Sequence, residues 1–298
     1  MTLTKNARHR ALLIMVIAAT LFGAMAFAAK IASSRLSGPE VAMIRMAIGL
    51  LPCLLIPRYR RAAMHFRRLD LILYRGIFGG IAVMLYFLAI EHTTAGIATL
   101  LNYTAPIWSG LFSMLFIGEK TNGRVLIPLS IALVGIFLVV RGEPFGFGRW
   151  EIAGACSAIA SGAAVTAMRA ARRAENSWSV YASFCLFGML VNAPLAIRSW
   201  RMPVGRDWIA LLATSLFAMG AQLLLTFSLR WVDAMTVGVI SQLAVLISMS
   251  LGAVFLDERI TGIAAIGAAL TIAGVIGVTY ISSLGKPEAA ADEVVPEV

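Results

Sequence analysis

The sequence predicts an all-α, polytopic membrane protein of ten transmembrane helices arranged as two inverted five-helix repeats. Three observations carry that prediction: the composition, ten apolar runs of span length, and a constant offset between the two halves of the chain. Of the 298 residues, 60% are hydrophobic and 13% charged, against roughly 45–50% apolar and about 25% charged in soluble domains. So little polar surface cannot cover a core in water, and the bilayer is the expected solvent.

The apolar runs lie near 11–32, 40–57, 71–90, 95–117, 125–141, 150–170, 178–198, 208–229, 235–256 and 262–283. As helices, about 20 residues cross ~30 Å of hydrocarbon. None of the runs alternates apolar and polar residues at period two, as a membrane barrel requires. The first run follows the basic KNARHR and holds AFA at 26–28, features that a cleaved leader shares; the repeat described next needs it as the first of five spans and favours a retained helix.

Sliding the chain against itself gives an offset of 139 residues without a gap, pairing Gly23 with Gly162, Lys30 with Arg169, Gly49 with Gly188, Ala95 with Ala234 and Gly135 with Gly274. The clearest match sets GEKTNG (118–123) against DERITG (257–262). Five spans are an odd number, so the second copy starts from the opposite face of the membrane. The expected units are therefore residues 1–143, residues 144–285 as the inverted copy, and a short acidic tail, 286–298, expected to be disordered. Inverted repeats are the usual architecture of secondary carriers, with the solute site near the bilayer midplane between the halves. Duplication that merely enlarges a bundle is the competing reading.

Basic residues set the expected orientation. Fifteen fall at the N-terminus and in even-numbered connections and eight on the other side, with Arg45 and Arg75 inside spans. The positive-inside bias places both termini in the cytoplasm. The net charge of +10 is then topology and not a nucleic-acid surface. Cys53, Cys156 and Cys185 fall in apolar runs and read as small core residues, while His9, His65 and His92 form no ligand cluster, so no metal site or cofactor is expected. GEKT lacks the spacing of a phosphate loop, and the connections hold no soluble domain.

Within the fourth run, LNYTAPIWS (101–109) introduces an amide, a phenol, hydroxyls and a proline. Unpaired polar groups in hydrocarbon cost several kcal/mol, so Asn102, Tyr103 and Thr104 must face other helices or water. Pro106 cannot donate to the Asn102 carbonyl and should bend the helix there. The offset sets Ser241 and Gln242 against Asn102 and Tyr103. Two readings fit this stripe of small and polar residues: the lining of a cavity, or interhelical glue. Tyr103 and Gln242 are large for a tight seam. Thr20, Tyr86, Trp108 and Gln222 are further candidates for the lining, although Tyr86 and Trp108 suit a core or interfacial position equally well. Arg45 and Arg75, about a turn inside their spans, suit snorkelling to the surface; a role toward a substrate carboxylate is the alternative. The carboxylates all fall at span ends or connections, which favours a facilitator over a carboxylate-based proton exchanger.

The run Pro106-IWSGLFSMLFI-Gly118-Glu119 followed by Gly123 and Gly135, and the second copy ending in Asp257-Glu258, Gly262 and Gly274, resemble the drug/metabolite transporter superfamily, specifically its EamA-type ten-helix exporters. The chain looks most like bacterial inner-membrane exporters of aromatic and other neutral amino acids. That resemblance implies a central cavity, with spans five and ten peripheral and Glu119 and Glu258 as helix-end residues holding the following loop. Val245 and Asp257 stand where the pattern has proline and glycine, so the two copies need not bend alike. The implied site joins Thr20, Tyr86, Asn102, Tyr103, Pro106, Trp108, Gln222, Ser241 and Gln242, with amino acids as substrate, the bilayer as surroundings and no obligatory protein partner. A nucleotide-sugar carrier would want several cavity cations. A membrane-embedded enzyme would need paired carboxylates, a Ser/His arrangement or a metal cluster, none of which is legible.

Overall fold

The computed structural model describes residues 5–57, 60, 67–117, 124, 126–141, 148–171, 175–228 and 234–284. These form helical segments without a strand: α1 (Lys5–Ala32), α2 (Gly38–Leu55), α3 (Leu69–His92), α4 (Ala95–Asn102), α5 (Ala105–Ile117), α6 (Leu126–Arg141), α7 (Arg149–Ala171), α8 (Ser177–Arg198), α9 (Arg206–Ser228), α10 (Ala234–Phe255) and α11 (Gly262–Leu284). Among the described residues these helices make up the ten expected spans, with α4 and α5 as the two pieces of the fourth. The segment GEKTNG, most of the 58–71 connection and the 286–298 tail lie outside the described residues, as do the side chains of Ser113, Arg169 and Ala234. By length and composition, α1, α2, α3, α7, α8 and α9 can each cross a membrane. The chain is an all-α, multi-pass membrane protein.

Helix starts are set by side chains that accept the first free amides. Ser37 accepts from Glu40 N, with Pro39 in the first turn, at the head of α2. Thr94 accepts from Ile97 N to open α4, and Asn176 from Ser179 N to open α8. Helix α1 begins at Lys5, ahead of its apolar run, because a helix need not end where the hydrocarbon does. Cys53 and Cys185 are buried as the apolar runs predict; Cys156 is exposed instead, since a helix apolar on every side does not reveal which face it turns outward.

The helix pairings exchange under the 139-residue offset. Helix α1 packs on α9 and α10, and α7 packs on α3 and on both pieces of the fourth span; α2 meets α9 as α8 meets α3. Two pairs map onto themselves, α2 with α8 and α6 with α11. The exchange holds at single residues. A Cβ at Gly23 would lie 2.7 Å from the Ile247 Cβ, and one at Gly162 would lie 2.6 Å from the Trp108 Cβ; residues 23 and 162, like 108 and 247, are offset partners. This is what a two-fold relation between halves produces.

Lipid tails are as apolar as leucine, so these helices gain from close packing and not from leaving water. Small residues permit it. In the α6·α11 pair, a Cβ at Gly274 would lie 2.5 Å from the Ala132 backbone nitrogen, and one at Gly135 would lie 2.5 Å from the Thr271 nitrogen. Neither backbone can move aside cheaply. Gly274→Leu should therefore cost about 1–3 kcal/mol by overpacking, read as a lowered melting temperature in detergent. Gly110→Ala, where a Cβ meets nothing within 4 Å, should leave that temperature unchanged or raise it; equal losses in the two variants would refute the seam.

Candidate functional site

The fourth span breaks where its polar residues sit. Helix α4 ends at Asn102, Tyr103 N donates to Thr99 O at 2.9 Å, and Thr104 N donates to Leu101 O at 3.2 Å before α5 starts at Ala105. Pro106 lies in the first turn of α5, where a missing N–H costs nothing. The break thus falls two to three residues before the proline, which starts a new helix instead of bending an old one. Thr104 covers part of the exposed backbone by donating its hydroxyl to Leu101 O at 2.7 Å.

Around that break side chains make contact with four neighbouring helices. Asn102 donates its amide to Ser157 at 2.9 Å and to Ser161 at 3.1 Å, both on α7. Ser109 and Thr166 are hydrogen-bonded at 3.2 Å on the same seam. Buried Tyr86 on α3 is hydrogen-bonded to Thr99 at 2.8 Å. On the other side, Gln242 of α10 donates its amide to the Tyr103 carbonyl at 3.4 Å, and the Tyr103 ring meets Phe22 of α1 edge-on, 6.4 Å between centroids. Tyr103 and Gln242 are offset partners. Two positions related by a two-fold axis touch only beside that axis, so this contact marks the middle of the molecule. Tyr103 keeps part of its surface accessible there, with helices on both sides.

Other predicted residues are distributed around this centre. Ser241 and Gln222 are half-buried on α10 and α9. Trp108 is half-buried, but its Cβ lies on the α5·α7 seam against Gly162, a packing role. Thr20 is not brought in. It is exposed, bonded to its own Val16 carbonyl at 2.9 Å, and two helical steps from Phe22, about 200° around α1. A threonine satisfied by the carbonyl four residues back can face lipid.

Two residues are placed quite differently from the snorkelling expected of them. Arg45 on α2 and Arg75 on α3 are 7% and 6% exposed. Both guanidinium groups lie over the Phe184 ring of α8, at 5.8 and 4.2 Å, and Arg45 also lies 5.7 Å from the Phe87 ring. Arg75 lies back along α3 over Gly79, whose missing side chain makes the room. Arginine at a helix centre costs about 2.5–3.5 kcal/mol on insertion scales. The sequence carried one signal: Arg45 and Phe184 are offset partners, so residue 45 also lies by the axis and far from either surface.

One end of the bundle is knotted. Lys30 Nζ, at the end of α1, donates to Ile90 O at 2.9 Å, to Glu91 O at 3.2 Å and to Thr93 O, capping the C-terminus of α3. Glu91 accepts from Gly38 N at 2.6 Å. Glu258 accepts from Ala95 N at 3.0 Å, capping α4 in the other half of the chain and not holding the loop that follows its own helix. Burial pushes the Glu258 carboxyl above its ordinary range, offset in part by the Ala95 amide and Lys30, so acid weakens this cap at a higher pH than for an exposed glutamate. Beside the knot, a recess of about 420 Å³ is lined by Ser33, Ser37, Glu91, Arg198, Trp200 and Arg201. Among the described residues, no cluster of side chains could hold a metal ion.

A sequence profile of the EamA-like transporter family matches residues 9–141 and again residues 148–280. The chain belongs to that family. Several proteins with known names are similar over most of its length. The pseudopaline exporter CntI of Pseudomonas aeruginosa is 28% identical over 88% of this chain and 90% of its own. The threonine/homoserine exporter RhtA of Salmonella typhimurium is 26% identical over 90% of each. Solute carrier family 35 member G1 of Mus musculus is 25% identical over 80% of this chain and 70% of its own. A solved crystal structure, 21% identical, covers 94% of this chain and 99% of its own with a TM-score of 0.64, which speaks for the fold alone.

If Asn102 ties α4 to α7, its loss and that of Ser161 should not add. Asn102→Ala and Ser161→Ala, singly and together, should give a coupling near ~0.6 kcal/mol, the mean for membrane hydrogen bonds, in reversible unfolding from mixed micelles. Additive losses would show that the amide serves something else.

Proposed function

We propose that this EamA-like protein is an exporter of small zwitterionic metabolites, aromatic and other hydrophobic amino acids among them, in a bacterial inner membrane. The two halves sit inverted with both termini in the cytoplasm, and they rock about an axis in the membrane plane to expose one central site to each side in turn. The single observation that supports this reading most is the meeting of Tyr103 with Gln242, offset partners touching beside a break in the helix. Carriers bind at such a point, between repeats and next to interrupted helices. The site then comprises Tyr103, Gln242, Asn102, Pro106, Ser241, Gln222 and Tyr86, with Trp108 behind it as packing.

Export is supported by relatives whose names are those of exporters, one of them of threonine and homoserine. The knot of Lys30, Glu91 and Glu258 fits a closed face: α1, α3, α4 and the end of α10 are drawn together there. Among the described residues every carboxylate lies within the first or last three residues of a helix or in a connection, so the reading favours facilitated passage. Membrane-embedded catalysis finds no support in the family, whose members are transporters.

Counterflow in proteoliposomes tests the proposal, with labelled phenylalanine inside and a panel of amino acids as competitors. Tyr103→Ala and Gln242→Ala should each change the order of competition while helicity and yield stay at the unsubstituted level. An unaltered order in both variants would remove these residues from the site, and absence of exchange with every amino acid would remove the substrate class.

A further inference from the structure

Arg45 and Arg75 are the strongest polar feature that the proposed site does not use. Among the described residues no carboxylate lies within ion-pair distance of either guanidinium, and Arg75 Nε is buried without any acceptor. Arg45 is the eighth residue of the 18-residue α2, and Arg75 the seventh of the 24-residue α3. Arg45 lies 5.8 Å from the ring of its offset partner Phe184, so it sits beside the same middle line as the contact of Tyr103 with Gln242.

A buried cation ordinarily neutralises itself against an acid or a carbonyl. Here two cations share one ring and repel each other, and the aromatic faces hold them in place without using their N–H groups. Contact with a ring face leaves the N–H donors of a guanidinium unused, and the buried Nε of Arg75 meets no acceptor. The partner that fits such donors is a planar oxyanion with two acceptors, bound by parallel charge-assisted hydrogen bonds. A lipid headgroup stays at the interface, so at the depth of Arg45 the anion must come with the solute.

We propose that Arg45 and Arg75 form the subsite that receives the carboxylate of the transported solute. The proposal rests on the transport reading above and sharpens it: the carboxylate of the solute lies toward α2 and α3, and the ammonium on the adjoining carbon lies toward Tyr103 and Gln242. The arginines then discriminate acids from otherwise identical neutral amides. They also make a solute with a second carboxylate a better fit than one with none.

The test uses the full-length protein in proteoliposomes, with phenylalanine, phenylalanine amide and phenethylamine competing against labelled phenylalanine. The free acid should compete at least about tenfold better than the amide, the scale of one charge-assisted hydrogen bond. In Arg45→Gln and Arg75→Gln that ratio should fall toward one, and Arg45→Lys should restore part of it; far-UV helicity and elution volume control for folding. A ratio that survives both glutamine substitutions, or an amide that matches the acid in the unsubstituted protein, overturns the subsite. Should the unsubstituted protein exchange none of these amino acids, the amino-acid reading fails, and the subsite is decided separately by melting temperature in detergent. Sodium phenylacetate should then raise it in the unsubstituted protein and not in the glutamine variants. No rise, or a rise with inorganic phosphate alone, rejects the carboxylate.

Discussion

Hydrocarbon offers no partner to an amide or a carbonyl, and this one condition shapes the whole chain. It makes every span a helix, and it makes any interruption expensive unless protein supplies the missing bonds. The break at Tyr103 and Thr104 is supplied in just this way: by Thr104 bonding Leu101 O, by Gln242 reaching the Tyr103 carbonyl, and by Asn102 fastening the end of α4 to α7. A proline placed three residues earlier would have left its gap inside α4. Placed at 106, it opens α5.

Close approach of backbones does the rest. Gly23 and Gly162 admit Ile247 and Trp108, and Gly135 and Gly274 admit the facing helix of the α6·α11 pair. Because these contacts recur in both halves, the molecule has a middle line along which offset partners meet. Tyr103 meets Gln242 there, and Arg45 meets Phe184. The polar break and the buried cation are therefore neighbours by construction, each brought to the centre by the same duplication.

The spans were legible because twenty apolar residues in a row have few other uses, and the offset was legible because glycines recur at matching packing seams in both halves. The rotation of each helix was not. Thr20 reads as a mid-span polar residue, yet its hydroxyl is satisfied within α1 and points outward. Arg45 and Arg75 read as cations near span ends, where long side chains normally reach the surface; their burial depends on Phe184, contributed by a helix more than a hundred residues away. Glu258 likewise reads as belonging to its own loop, while its acceptor role is set by where α4 happens to start.

That last contact bears on how the protein is made. The amide of Ala95 finds its acceptor only when residue 258 has been synthesised and inserted, so the nascent first half leaves the ribosome with the head of α4 open to solvent. Lys30 can fold onto α3 as soon as that helix emerges, but the assembly cannot close over it until the ninth span arrives. Biogenesis therefore includes a late stitch running backward along the chain, and a first half produced alone would lack it.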